Sequence, residues 1–142
     1  MTVELICAFS ALYMTGVIWF VQVVHYPLFG AVGGTRWPAY HAGHTRRTGY
    51  VVAPVMIAEL ASAGVLAVRD GTTLAVAGLA LAAATWALTF GLAVPDHGRL
   101  EHGFDARIAR RLVTAGWARA VTWTAHGVVA LALLAQPQSP AA

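Results

Sequence analysis

The chain contains no lysine, and its nine basic residues are all arginine. That absence excludes a Schiff base to retinal or pyridoxal phosphate and a phosphate-binding lysine of the Walker type. A single cysteine, Cys7, excludes an internal disulfide or a thiolate metal cluster within one chain, and one thiol reveals nothing about redox compartment. Charge is scarce: 11% of the 142 residues are charged and 58% are apolar, with a mean hydropathy of +0.66. So little polar surface cannot cover a water-soluble globule of this size, which places the chain in a bilayer.

Four segments, Val3–Val24, Val51–Val68, Thr72–Val94 and Leu112–Ala135, hold at most one interior charge each. Each is close to the roughly 20 residues that a spanning helix needs. Their continuous apolar character excludes transmembrane strands, which alternate in polarity over about 9–11 residues. The expected fold is all-α, a polytopic four-transmembrane-helix bundle over residues 1–135, with helices near 3–25, 38–69, 72–94 and 106–135 and a disordered tail at 136–142. Glu4 in place of a basic leader, and Trp19-Phe20 beyond any small-residue cleavage site, predict that the first segment is retained as a helix.

Proline and glycine punctuate the bundle. Helix one is expected to end at His25-Tyr26-Pro27, with Gly30, Gly33 and Gly34 forming the turn that follows. Trp37-Pro38 should open helix two, so that His41, His44 and Arg47 ride on its extension, and Pro54 should kink it. Helix three should stop at Val94-Pro95, leaving Pro95–Phe104 as a polar loop before an Asp105 N-cap. Gly78, Ala82, Ala63 and Gly116 are small enough to let helices approach closely. Both helix pairs turn at a His/Pro segment, which hints at internal repetition.

The pI near 9.6 does not point to nucleic acid, since no soluble basic stripe with stacking or groove-reading elements accompanies it. The arginines instead fall where they orient the chain. Arg36, Arg46 and Arg47 lie in the first connection, and Arg99, Arg107, Arg110, Arg111 and Arg119 in the third connection and the mouth of helix four. Only Arg69, beside Asp70, lies in the second. The positive-inside rule then predicts that both basic segments are cytoplasmic and both termini lie outside, the orientation expected of a multi-pass protein of a bacterial inner membrane should the chain come from one.

Five of the six histidines, His25, His41, His44, His97 and His102, share those two basic segments, which places a potential site on one membrane face. Glu59 lies about 16 Å along helix two from Thr48, near the midplane, where an ionisable group costs perhaps 2.5–3.5 kcal/mol and faces inward. It is either a proton acceptor or ligand, or a protonated carboxyl hydrogen-bonded for packing. His126 is its natural partner, and Arg119, Trp123 and His126 share one face at i, i+4, i+7 spacing. Gln22 and His25 share a face at i, i+3, and His41 and Glu59 are about five turns apart on nominally the same face.

If these stripes converge, they form a cavity open to the cytoplasm, floored by Glu59 and His126 and rimmed by His25, His41 or His44, and His97. Imidazoles suit zinc, copper, iron or haem iron, and a carboxylate suits non-haem iron. His41 and His44 at i, i+3 can share a metal, although no HExxH signature is present and loop histidines are commonly solvated; His102 reads as plain loop. Tyr26, Trp37, Tyr40, Tyr50 and Trp117 read as headgroup anchors and Arg119 as a snorkelling side chain.

The run Trp19 to Phe29 with His25, then His44-Thr-Arg-Arg47, Pro54, Glu59, Val94-Pro95 to Leu100 and Trp117-Ala-Arg119, resembles a group of small bacterial four-helix membrane proteins of unknown function. More distantly, the Pro95 to Leu100 element and the Trp-containing fourth helix are similar to a family that includes anthrone oxygenases of aromatic polyketide pathways. That similarity implies oxygenation of a hydrophobic polycyclic substrate entering from the membrane.

Three readings stand on these residues. The first is a membrane oxidoreductase in which His25, His44 and His97 hold a transition metal or haem and Glu59 handles protons for an apolar substrate or quinone. The second is an accessory or assembly subunit whose polar stripes are satisfied by a second copy or another membrane protein, and on any reading Gln22, Arg47, Arg119 and Trp123 are substrate-contacting or structural polar residues. The third is a small transporter in which Glu59 is the exchanging acid.

Overall fold

In the computed structural model, which describes residues 1–32 and 34–136, the chain is an all-α bundle of four long apolar helical spans. Gly33 of the expected turn and the tail beyond Gln136 lie outside the described residues. The spans are Thr2–Ala31, Trp37–Asp70, Thr73–Leu100 and Ala106–Leu134, each long and apolar enough to cross a membrane. By helix length and hydropathy the chain is a multi-pass membrane protein.

Helix α1 (Thr2–Phe20) does not end where proline was expected to stop it. It widens into a π turn, Val21–His25, and then tightens into a 3₁₀ segment, Tyr26–Ala31, that contains Pro27. The third span repeats the device: α3 (Thr73–Leu88), a π turn over Thr89–Ala93, then α4 (Val94–Leu100) with Pro95 in its first turn. A proline ring clashes with the carbonyl four residues earlier, and a widened turn moves that carbonyl aside without ending the helix. The polar loop expected at Pro95–Phe104 is therefore mostly helix, with only Glu101–Asp105 outside a helix.

Helix α2 (Trp37–Asp70) runs unbroken through Pro54 for 34 residues, about 51 Å at ~1.5 Å per residue. It outreaches a ~30 Å hydrocarbon core. It ends on Gly71, whose φ of 60° is left-handed and whose N–H bonds to the Ala67 carbonyl. Asp105 caps α5 (Ala106–Leu134) as expected: its Oδ1 accepts from the Arg107 and Ile108 backbone N–H groups at 2.7 and 3.1 Å. Those two donors hold the Asp105 carboxyl below the usual aspartate range.

Each of α1 and α3 packs against both α2 and α5, so α2 and α5 face one another across the bundle diagonal. Toward the chain termini the core is built of small residues, Ala8, Ala11, Ala63, Ala75, Ala82 and Ala130 around Cys7 and Leu66. Close helix approach is what such residues permit. Gly78 meets Val129 there, and Gly116 is needed further along because a Cβ would lie 2.0 Å from Gln22 Oε1. The middle layer is Met14, Ile18, Met56, Ala120 and Trp123. The histidine end is aromatic: Tyr26, Phe29 and Trp37 with Leu100 and Leu112. Phe9, Phe20, Ile57 and Val121 are exposed on the outside, the surface that lipid covers.

Candidate functional site

Three spans bring four histidines together at the end where α2 begins. His25 closes the first π turn, His41 and His44 lie one turn apart on α2, and His97 stands on α4 two residues after Pro95. Their rings form two nitrogen-to-nitrogen contacts, His25 Nε2 to His44 Nδ1 at 2.9 Å and His41 Nε2 to His97 Nδ1 at 3.1 Å. The Thr48 hydroxyl also reaches His44 Nδ1, at 3.2 Å. Ring centroids across the two pairs are 5.4 Å apart for His44 and His97 and 6.3 Å for His41 and His44.

Tyr26 extends one pair into a chain. Its hydroxyl contacts His97 Nε2 at 3.1 Å, so Tyr26, His97 and His41 are linked through both nitrogens of His97. At the far end His41 Nδ1 is buried without a hydrogen-bond partner. Trp37 holds this arrangement in place: it stacks on His41 at 5.2 Å and donates its indole N–H to the Leu100 carbonyl at 2.6 Å, tying the start of α2 to the end of α4. Tyr26 and Trp37 are thus buried parts of the site rather than headgroup anchors, whereas Tyr50 and Trp117 are exposed as that role requires.

Beside the histidines lies a cavity of about 550 Å³. Tyr26, His41, His44, His97, Glu101 and Arg119 supply its titratable groups, and Val52, Ala93 and Val94 are among its apolar walls. Arg119 does not snorkel. Its guanidinium lies over the Trp123 ring, 5.3 Å from the centroid, and its side chain is 8% exposed with Nε unpartnered.

Glu59 and His126 do meet, but not on the cavity floor. His126 Nδ1 lies 2.7 Å from Glu59 Oε1, and the Trp123 indole N–H lies 3.1 Å from each Glu59 oxygen, all three residues being fully buried. His126 Nε2 is buried without a hydrogen-bond partner. None of these three residues lines the cavity; Trp123 approaches it only through Arg119, whose guanidinium lies over its ring. Gln22 is spent on packing: its Nε2 donates to the Val113 carbonyl at 2.7 Å against Gly116. Arg47 is exposed on α2 and takes no part in the cavity wall, and His102 is exposed in the turn after α4.

The expected metal triad, His25, His44 and His97, is brought together without converging. Among the described residues no three His, Cys, Asp or Glu side chains form a group that could hold a metal ion. The nitrogens are directed at one another in pairs instead. Sequence reasoning missed Asp96, buried between Arg99 at 2.8 Å and Arg111 at 2.7 Å, which ties α4 to α5. Its i, i+3 spacing to Arg99 was the available signal. Thr89 in the second π turn was also missed, and no sequence signal distinguishes it from other apolar-run threonines. No protein-family model, curated protein or solved structure matches the chain.

Proposed function

We propose that the chain is a membrane-embedded enzyme that takes a proton from an apolar substrate entering the cavity from the bilayer, the first step of an oxygenation. The observation that carries this reading is the linked series Tyr26, His97 and His41 along the wall of a ligand-sized cavity. A neutral imidazole donates through one nitrogen and accepts through the other, so a proton accepted at one end of the series can be passed on by switching tautomers. Glu101, on the cavity wall with His41, offers the proton an outlet.

The second half of the reaction rests on the resemblance to anthrone oxygenases read from the Pro95 to Leu100 element and the fourth helix. Removal of a C–H proton from a methylene flanked by aromatic rings and activated by a carbonyl leaves a carbanion; one electron passes to O₂, the carbon radical and superoxide combine to form the C–O bond, and return of a proton gives a hydroperoxide. Loss of water from the hydroperoxide leaves a ketone. One O₂ is consumed and one water released per CH₂ oxidised, and the protein supplies positioning and the base.

The test is oxygen uptake by the purified protein in lipid nanodiscs with anthrone as the probe, set against empty nanodiscs. Uptake equal to product formed, falling by about 10²-fold or more in His97→Ala and His41→Ala, is expected. Uptake no faster than with empty discs overturns the reading. The close grouping of four imidazoles favours one second reading, a transition-metal or haem oxidoreductase in which two or more rings turn to share an ion. A stoichiometric metal or haem in wild type that is lost in His44→Ala would replace the relay with that ligand set.

A further inference from the structure

Arg119 stands on the cavity wall, buried to all but 8% by the bundle, and no step of the proton relay uses it. A guanidinium stays ionised in proteins, so this is a permanent positive charge at membrane depth. Such a charge is normally neutralised by a neighbour. Among the described residues no carboxylate lies within ion-pair distance of Arg119, although Arg69, Arg99 and Arg111 each have one. Its Nε is a buried donor with no acceptor. The one acidic residue on the cavity wall, Glu101, makes no ion pair with it.

The bundle also holds Arg119 rigidly. The Trp123 ring beneath the guanidinium is fixed by its indole N–H at both Glu59 oxygens, and Glu59 is fixed in turn by His126. Three buried residues that never reach the cavity therefore position one that does.

We propose that Arg119 is an anion-recognition residue and that the cavity takes an apolar molecule bearing an acidic oxygen, a carboxylate, phenolate or phosphate, which pairs with the guanidinium. This deepens the enzymatic reading and rests on it for the identity of the cavity as the substrate site. The planar donor fork of arginine suits two oxygens at once. Val52, Ala93 and Val94 accept the apolar body beside it. On this assignment Trp123 and Glu59 are positioning residues: they act through Arg119 and never touch the ligand.

The experiment is equilibrium binding of 2-naphthoate and of its neutral isostere 2-naphthamide to the full chain in phosphatidylcholine nanodiscs, corrected with empty discs. Naphthoate is expected to bind about tenfold or more tightly than naphthamide, the scale set by a desolvated charge pair. Arg119→Gln should equalise the two ligands and Arg119→Lys should keep part of the preference. Trp123→Phe, which keeps an aromatic face of smaller area and removes the N–H that bonds Glu59, should weaken naphthoate more than naphthamide. Equal affinities for the two ligands in wild type overturn the proposal without need of a variant and leave the cavity as an apolar site. A preference undiminished in Arg119→Gln overturns it as well. Failure of both ligands to bind overturns this proposal and the substrate-cavity reading together. A second arm adds phosphatidylglycerol to the discs: saturable competition with naphthoate identifies a lipid phosphate as the source of the acidic oxygen, and no competition identifies a free amphiphile.

Discussion

Glu59 shows how differently a residue reads in a sequence and in a fold. An acid near the middle of an apolar helix must be satisfied, and its partners here are His126 and Trp123, both on α5 across the bundle diagonal. Removing one member of a buried polar group strands the others. Glu59→Ala is expected to cost about 3–5 kcal/mol, because an imidazole and an indole N–H are left without an acceptor. Glu59→Gln keeps one oxygen for one of them and should cost clearly less. Denaturant unfolding of both variants in detergent checks the order, and equal losses would mean that a single amide oxygen cannot stand in for the carboxylate. The stripe Arg119, Trp123 and His126 was legible from its spacing, and all three are buried. What the spacing left open was direction, since a long arginine side chain can leave a helix face toward headgroups or fold back over a ring.

At the scale of elements, the two π turns decide where the site lies. Each stands just before a proline and lets its span continue past it, so His25 is held within the first π turn and His97 follows the second on helical backbone rather than in a loop. The sequence displays the prolines and the similar His/Pro segments, but a proline signals only that regular helix is disturbed, and whether the chain turns away or widens depends on what packs around it. Helix α4 is short, and Asp96 secures it through Arg99 and Arg111. Asp96→Asn is expected to cost about 1–3 kcal/mol through weakened charge-assisted hydrogen bonds. Since His97 is the next residue, oxygen uptake should fall with it, by more than in a surface control such as Arg47→Gln. A thermal scan in detergent alongside the uptake assay tests both parts, and a loss of stability with full uptake would separate α4 anchoring from the site.

For the whole molecule, the arginines gather at the histidine end, while the opposite end carries a small closed cluster in which Glu4 pairs with Arg69 and with the Met1 amine, and Asp70 with Arg69. That asymmetry predicts a cytoplasmic site and external termini. Single cysteines at His102→Cys and Thr73→Cys, both exposed turn or helix-start positions, test it in a Cys7→Ala background. In intact cells a membrane-impermeant maleimide is expected to label Thr73→Cys only, with His102→Cys labelled after the cells are opened. The opposite pattern would invert the orientation, and labelling of both from outside would contradict four spans.

The fold class, the four spans, the capping Asp105 and the gathering of histidines at one end follow from the sequence, because each depends on local composition: apolar length against bilayer thickness, or a short polar side chain before a helix. Which of those groups meet was decided by the tertiary structure. Helical periodicity assigns a residue to a face but leaves the azimuth of each helix about its axis to the packing of its neighbours. Small residues on α1, α2, α3 and α5 set that packing, and with it the pairing of four imidazoles, the burial of Tyr26 and Trp37, and the separation of the Glu59 group from the cavity that Arg119 enters.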